Sequence, residues 1–240
     1  MSTEVEVAVE IDGHTRIAGT ARFDVRRGML STSFTYLDDY LSFSGSYPLD
    51  PALPFDARGG FTEGLPGAFA DSAPDRWGRR LIARRLRVDG PGHRTVAEND
   101  YLLGVSDLTR QGALRFRTRG QDEFERSVVD VPKQIHLPTL YAASDKVARS
   151  DGEDLDAVKV LLDAGTGTLG GARPKASVRG DDGVLYIAKF PHHNDEWDVM
   201  AWEKTALDLA EGADITVPPR RLTQVSGRSV LLLERFDRTG

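Results

Sequence analysis

Gly165–Phe190, GTGTLGGARPKASVRGDDGVLYIAKF, is the most informative part of this 240-residue chain. Its first seven residues contain four glycines and two threonines, and Lys175 follows them closely. Closely spaced glycines let the backbone turn tightly and bring its N–H groups against a phosphate. The end of the stretch is predicted to be a strand carrying Lys189, which can supply a fixed positive charge to the same phosphates. The composition therefore suggests nucleotide binding.

The elements predicted before and after the glycines exclude some kinds of nucleotide-binding loop. Gly165, Gly167 and Gly170 satisfy the pattern G-x-G-x-x-G, but a helix is predicted before them and a hairpin after them, which excludes the dinucleotide motif. The Gly-Lys-Ser/Thr end of a P-loop is also missing. A kinase-type loop fits, because there a lysine on a later strand pairs with the phosphates and with a glutamate of the next helix. Lys189 and Glu203 have this order; the alternative is a surface loop beside an exposed lysine.

The overall composition restricts the class of protein. A net charge of −6 gives no general attraction to nucleic acid or to an anionic membrane. The chain has no cysteine, which excludes disulfides and thiolate chemistry and fits a cytosolic setting. The N-terminus lacks the basic and apolar regions of a signal peptide, and no apolar run reaches membrane-spanning length. We expect a cytoplasmic protein that contacts neither a membrane nor nucleic acid directly.

An α+β fold is predicted, and its first part, residues 1–120, is a small β-rich subdomain. Alternating valines from Val5 to Val9 predict a strand, which Arg16–Val25 and Thr32–Tyr36 continue as a meander. Residues 46–66 are rich in proline and glycine and are predicted to be loop.

A helix is predicted over Ser72–Val88 and is expected to pack on the subdomain. Ser72 is its expected cap, and Trp77 begins its apolar face. The other faces carry several arginines: Arg76, Arg79, Arg80, Arg84, Arg85 and Arg87. Such a surface can bind nucleic acid or an acidic partner, but a solvated helix face paired with local carboxylates is the more common explanation.

The charged segment 121–133 is predicted to be a linker, and residues 134–240 form the second part. Two short helices, two hairpins and one longer helix are predicted there: Leu140–Val147, Leu155–Leu162, Ala176–Arg179 with Val184–Phe190, Arg221–Val225 with Ser229–Glu234, and Asp195–Leu209. Asp195 is the expected cap of the longer helix, and Val199, Trp202, Ala206 and Leu209 are expected to face inward. The three tryptophans are expected in the core, and His192 and His193 at the surface.

Five segments, in order, resemble the HipA-like serine/threonine kinases, which are the toxins of bacterial toxin–antitoxin modules. They are Leu65–Ile82 (LPGAFADSAPDRWGRRLI), Tyr101–Phe116 (YLLGVSDLTRQGALRF), Thr168–Val178 (TLGGARPKASV), Tyr186–Pro191 (YIAKFP) and Ser229–Arg238 (SVLLLERFDR). Together they span most of the chain. The resemblance implies that the second part is a kinase-like nucleotide-binding N-lobe.

The resemblance also implies a set of ATP-binding residues. The residues expected to line the triphosphate are Gly170, Gly171, Ala172, Arg173, Pro174 and Lys175. Lys189 is expected to pair with phosphate oxygens, with Glu203 as its ion partner. The residues expected to offer backbone groups to adenine are Glu234, Arg235 and Phe236. Thr168, with Thr166 as second choice, is the candidate for an inhibitory autophosphorylation, because a phosphate there would repel ATP.

The activity implied is ATP- and Mg²⁺-dependent phosphorylation of a protein target, an aminoacyl-tRNA synthetase by analogy, with a HipB-like DNA-binding antitoxin as partner. The family's catalytic Asp and metal ligands lie in a helical C-lobe beyond the hinge. None can be assigned in this chain, which ends at Gly240. We therefore expect the N-terminal part of a kinase, which alone binds ATP weakly and transfers nothing. The alternative is a non-catalytic module that binds or inhibits a kinase or antitoxin partner.

Overall fold

The structure, a computed structural model, describes residues 2–89, 95–124, 131–150, 154–165 and 173–237. The chain forms two compact units. The first consists of Met1–Pro74 with Gly90–Val128, and the second of Asp75–Asp89 with Val129–Gly240. The second unit thus includes the arginine-rich helix, which the sequence analysis had assigned to the first 120 residues. Both units contain an antiparallel sheet and helices, so the predicted α+β class is confirmed.

The first unit is built on a five-stranded antiparallel sheet. Its strands are β1 (Ser2–Ile11), β2 (His14–Arg26), β3 (Met29–Tyr36), β4 (Gly60–Glu63) and β5 (Leu114–Thr118). Their spatial order is β4-β3-β2-β1-β5. The predicted meander is therefore present. The prediction that residues 46–66 are loop throughout is wrong, because the distant strand β3 pairs with part of this segment and makes it β4.

One face of this sheet carries the core of the first unit. The described residues of this unit form three short helices: α1 (Asp38–Leu41), α2 (Gly67–Asp71) and α4 (Glu98–Leu103). The ring of Phe69 in α2 packs edge-on against Phe23, Phe34 and Phe116, with centroids 5.3 to 6.5 Å apart. All four rings are buried, so α2 closes the apolar face of the sheet.

In the second unit, helix α3 spans Arg76–Asp89 and packs on helix α6, Leu155–Asp163. Trp77, Leu81 and Ile82 are buried, which confirms the predicted apolar face.

The predicted cap of α3 is wrong. Ser72 ends the preceding helix α2, where its hydroxyl donates a hydrogen bond of 2.9 Å to the carbonyl oxygen of Ala68. The first turn of α3 instead begins at Asp75, whose carbonyl oxygen accepts from the N–H of Arg79 at 2.9 Å. Serine is favourable at the start of a helix, but Ser72 lies at the end of α2, a short helix that the sequence pattern does not predict.

The second unit contains a four-stranded antiparallel sheet. Its strands are β6 (Lys175–Arg179), β7 (Leu185–Lys189), β8 (Arg220–Val225) and β9 (Arg228–Glu234). Their spatial order is β6-β7-β9-β8, so the two predicted hairpins lie side by side. Helix α5, Leu137–Arg149, contributes Leu137 and Leu140 to the core on one face of this sheet.

Helix α7, Val199–Gly212, packs on the opposite face of the sheet through Met200, which is fully buried against Leu231 and Leu233 of β9. Val199 and Leu207 border the same core. The described residues contain no helix with the length and apolarity needed to cross a bilayer.

Two predictions for this helix are wrong. Its cap is Asp198, whose carboxylate accepts from the N–H of Ala201 at 3.0 Å, and not Asp195. Trp202 and Leu209, expected to face inward, are 65% and 70% exposed. Ala206 is exposed as well, and Trp197, expected in the core, is 63% exposed.

Candidate functional site

The hairpin β6–β7 places two lysines beside each other on the face of the sheet that α7 covers. Lys175 and Lys189 are direct partners across the two antiparallel strands. Side chains of directly opposite residues lie on the same face. Lys189 is also the partner of Leu231, whose side chain packs against α7. The register therefore brings two positive charges together at one end of the sheet.

Lys189 is paired with Glu203 of helix α7. The Nζ atom of Lys189 donates a hydrogen bond to Oε1 of Glu203, and both side chains are about one third exposed, at 27% and 31%. Because water only partly reaches the pair, it is screened less than a surface ion pair. The helix that carries Glu203 is fixed by the buried Met200 and by a hydrogen bond from Ser229 to Asp198. The arrangement holds the lysine in one position on β7, an inner strand of the sheet.

Lys175 is far less accessible, at 5% exposed. Burial lowers its pKa, and the neighbouring Lys189 lowers it further, while the carboxylates of Asp75 and Glu203 oppose the shift. The neutral form of Lys175 is therefore less disfavoured than that of an exposed lysine. An added anion would favour the charged form.

Arg173, which precedes Lys175 by two residues, forms an ion pair with Asp195. Its Nη1 atom donates to Oδ2 of Asp195 at 2.8 Å, and the N–H of His192 donates to the same oxygen at 2.8 Å. Burial acts to raise the pKa of Asp195, but these hydrogen bonds outweigh burial and bring the pKa below its usual value. Asp195 therefore stays ionised beside Arg173.

The end of β9 and the residues after it contain Glu234, Arg235 and Phe236, which are expected to offer backbone groups to adenine. The N–H of Glu234 donates to the carbonyl oxygen of Pro219, and the N–H of Arg235 donates to that of Leu185, both at 2.9 Å. The N–H groups of both residues are therefore engaged within the protein. The side chain of Phe236 is 91% exposed.

Arg235 is buried, and its guanidinium makes two hydrogen bonds to the carboxylate of Asp237, at 2.6 and 2.9 Å. Its side chain is therefore engaged within the protein. The carbonyl oxygen of Pro174 accepts from the N–H of Phe190 at 3.0 Å and so ties the start of β6 to the end of β7.

Several predicted site residues lie outside the described residues: Gly170, Gly171, Ala172, Thr166 and Thr168. Sequence reasoning also missed a contact. It assigned Asp195 to a helix cap and did not pair it with Arg173, because nothing in the local pattern joins two residues that lie on opposite sides of a hairpin. Among the residues that the structure describes, no three His, Asp or Glu side chains form a group able to hold a metal ion.

Comparison with known proteins identifies the family. The HipA N-terminal domain matches residues 10–103, and the HipA-like C-terminal domain matches residues 167–240. A solved structure from Shewanella oneidensis MR-1, described as the toxin–antitoxin system HipA, HipB and its operator DNA, contains a chain of similar fold, with 16% sequence identity and a TM-score of 0.57. The match covers 98% of this chain and 51% of that chain, so this chain spans about half its length. Comparison with curated protein sequences finds no match.

Proposed function

The chain is a HipA-like protein, and we propose that its second unit is the ATP-binding part of a serine/threonine protein kinase. The observation that carries this proposal is Lys189, held on the inner strand β7 by Glu203 of the helix that covers the sheet. In kinases the corresponding lysine contacts the phosphates of ATP only when its glutamate partner is in place. Here Lys189 and Glu203 form the same kind of pair.

The charges around Lys189 suit a triphosphate. Arg173, Lys175 and Lys189 lie on or next to the hairpin, and two of them already have carboxylate partners in Asp195 and Glu203. Such preformed cations stabilise the negative charge of the phosphates without reorganising when the nucleotide binds. ATP supplies the phosphoryl group. The residues of this chain bind and orient its phosphate chain.

Among the described residues, no three His, Asp or Glu side chains form a group that could hold a metal ion by itself. The resemblance implies that the Mg²⁺ ligands lie in the C-lobe, and carboxylates there would hold the ion together with the phosphates of ATP. The protein substrate, which the family analogy places among the aminoacyl-tRNA synthetases, is part of the same proposal.

We expect ATP to raise the melting temperature of the protein, because a ligand that binds only the folded state stabilises it. At a concentration one hundred times its Kd the gain is about 2.7 kcal/mol. Inorganic tripolyphosphate is expected to give part of this gain and adenosine much less, since the observed groups are cations. Thermal unfolding with each compound checks the order. Equal shifts with ATP and adenosine, or none with ATP, would contradict a phosphate site.

The second candidate function is binding of a HipB-like antitoxin, without catalysis by this chain. It is favoured by the match of residues 10–103 to the HipA N-terminal domain and by the HipB present in the similar structure. Gel filtration of the chain with a HipB-like antitoxin from the same source tests it. Co-elution supports the partner, and separate elution of the two folded proteins at micromolar concentration contradicts it.

A further inference from the structure

We propose that Asp195 is a positioning residue that holds the guanidinium of Arg173 for contact with the phosphate chain of the nucleotide. The inference rests on the proposed function and adds a second carboxylate–cation pair to the site, beside the pair formed by Glu203 and Lys189.

The burial of the two partners is unequal. The side chain of Asp195 is 6% exposed, whereas that of Arg173 is 42% exposed. The carboxylate is fixed from within the protein, because its Oδ2 atom also accepts from the N–H of His192, and the N–H of Asp195 donates to the carbonyl oxygen of His192 at 3.1 Å. This turn follows directly after β7, so the fixed end of the pair is attached to the strand that carries Lys189.

The exposed end of the pair is suited to an anion. A guanidinium has five N–H donors, and the bond to Asp195 at 2.8 Å occupies the Nη1 side. Its planar fork can bind a phosphate in addition to a carboxylate. Arg173 lies two residues before Lys175, so a phosphate near the two lysines is within reach of a long side chain. A free arginine would lose rotamer freedom on binding, and the bond to Asp195 removes part of that cost beforehand.

An alternative use of the same pair is competition, in which Asp195 occupies the guanidinium and must be displaced by phosphate. The two uses predict opposite signs. If Asp195 positions Arg173, removing its charge weakens ATP binding. If it competes, removing its charge tightens ATP binding.

The experiment measures ATP affinity by calorimetry for the full chain and for Asp195→Asn, Arg173→Ala and the double variant. The asparagine keeps an oxygen that can accept from the N–H of His192, so the turn is retained, whereas the bond to Arg173 loses the negative charge that strengthens it. We expect Asp195→Asn to weaken ATP binding by about two- to tenfold, the freedom of one long side chain, and to have no further effect in the Arg173→Ala background. Glu196→Gln is the matched control: this neighbour is exposed, and its replacement reports the general effect of removing one negative charge.

Tighter ATP binding in Asp195→Asn than in Glu196→Gln would overturn the inference in favour of competition. An equal loss with and without Arg173 would overturn it as well, because Asp195 would then act by another route. Unchanged affinity in Asp195→Asn, with a measurable Kd in the wild type, contradicts positioning but leaves the ATP site intact. If the wild type itself does not bind ATP, the proposed function has failed and the positioning role fails with it.

Discussion

Replacing Lys189 with alanine is expected to remove most of the stabilisation by ATP. Lys189 is less buried than Lys175, the other lysine of the hairpin, and Glu203 fixes the ammonium group of Lys189. A hydrogen bond between charged groups contributes about 1.5–3 kcal/mol, so its loss weakens binding by roughly ten- to hundredfold. At an ATP concentration about ten times the wild-type Kd, the stabilisation is then expected to fall from about 1.4 kcal/mol to about 0.4 kcal/mol or less, and the shift in melting temperature falls with it.

Lys204→Ala is the matched control for this change. Lys204 lies on the same helix as Glu203, next to it in sequence, and is paired with Asp208 at 2.6 Å. Removing it changes the net charge by the same amount and also breaks an ion pair, but not at the hairpin. We expect the ATP-dependent shift to survive in Lys204→Ala. A shift that survives equally in Lys189→Ala would contradict the phosphate site and favour the interaction module.

The local parts of this site were predictable from the sequence. The hairpin β6–β7 was found because alternating residues flank Gly180–Gly183, and a tight hairpin fixes its own register. That register sets Lys175 opposite Lys189. The pairing of Lys189 with Glu203 required the resemblance to a kinase, because no local rule connects a strand residue to one particular position of the next helix.

The orientation of α7 was not predictable from its apolar residues. The helix has apolar side chains on two faces: Trp202, Ala206 and Leu209 on one, and Met200 with Leu207 on the other. The larger apolar side chains predict that the face with Trp202 packs on the sheet. The sheet instead contacts the face that carries Met200 and Leu207. Glu203 lies between Met200 and Leu207 on the sheet side. This polar residue of the sheet-facing side is the one that pairs with Lys189.

The cap of α7 was also not predictable from residue type alone. Asp195 and Asp198 are both good caps by residue type, and only two residues separate them. Which of the two caps the helix depends on their other partners. Asp195 forms an ion pair with Arg173, and Asp198 accepts a hydrogen bond from Ser229. Both partners are distant in sequence. Propensity identifies the candidates, and tertiary contacts choose between them.

The observed orientation of α7 makes Met200→Ala the most destabilising single change expected in this helix. Met200 is fully buried against Leu231 and Leu233, and truncating a buried methionine costs about 2–5 kcal/mol of unfolding free energy. Leu209→Ala also removes an apolar side chain from α7. Leu209 is 70% exposed, so its loss is expected to change the free energy by only about 0.5 kcal/mol or less.

Urea unfolding followed by tryptophan fluorescence measures this difference in the relevant unit, because all three tryptophans, Trp77, Trp197 and Trp202, belong to the second unit. Met200→Ala is also expected to weaken ATP binding, since Met200 fixes the helix that brings Glu203 to Lys189. Leu209→Ala is expected to leave the affinity unchanged. The reverse result, with Leu209 the costly residue, would mean that α7 presents its tryptophan face to the sheet. Glu203 would then point away from Lys189, and the geometric basis of the phosphate site would be lost with it.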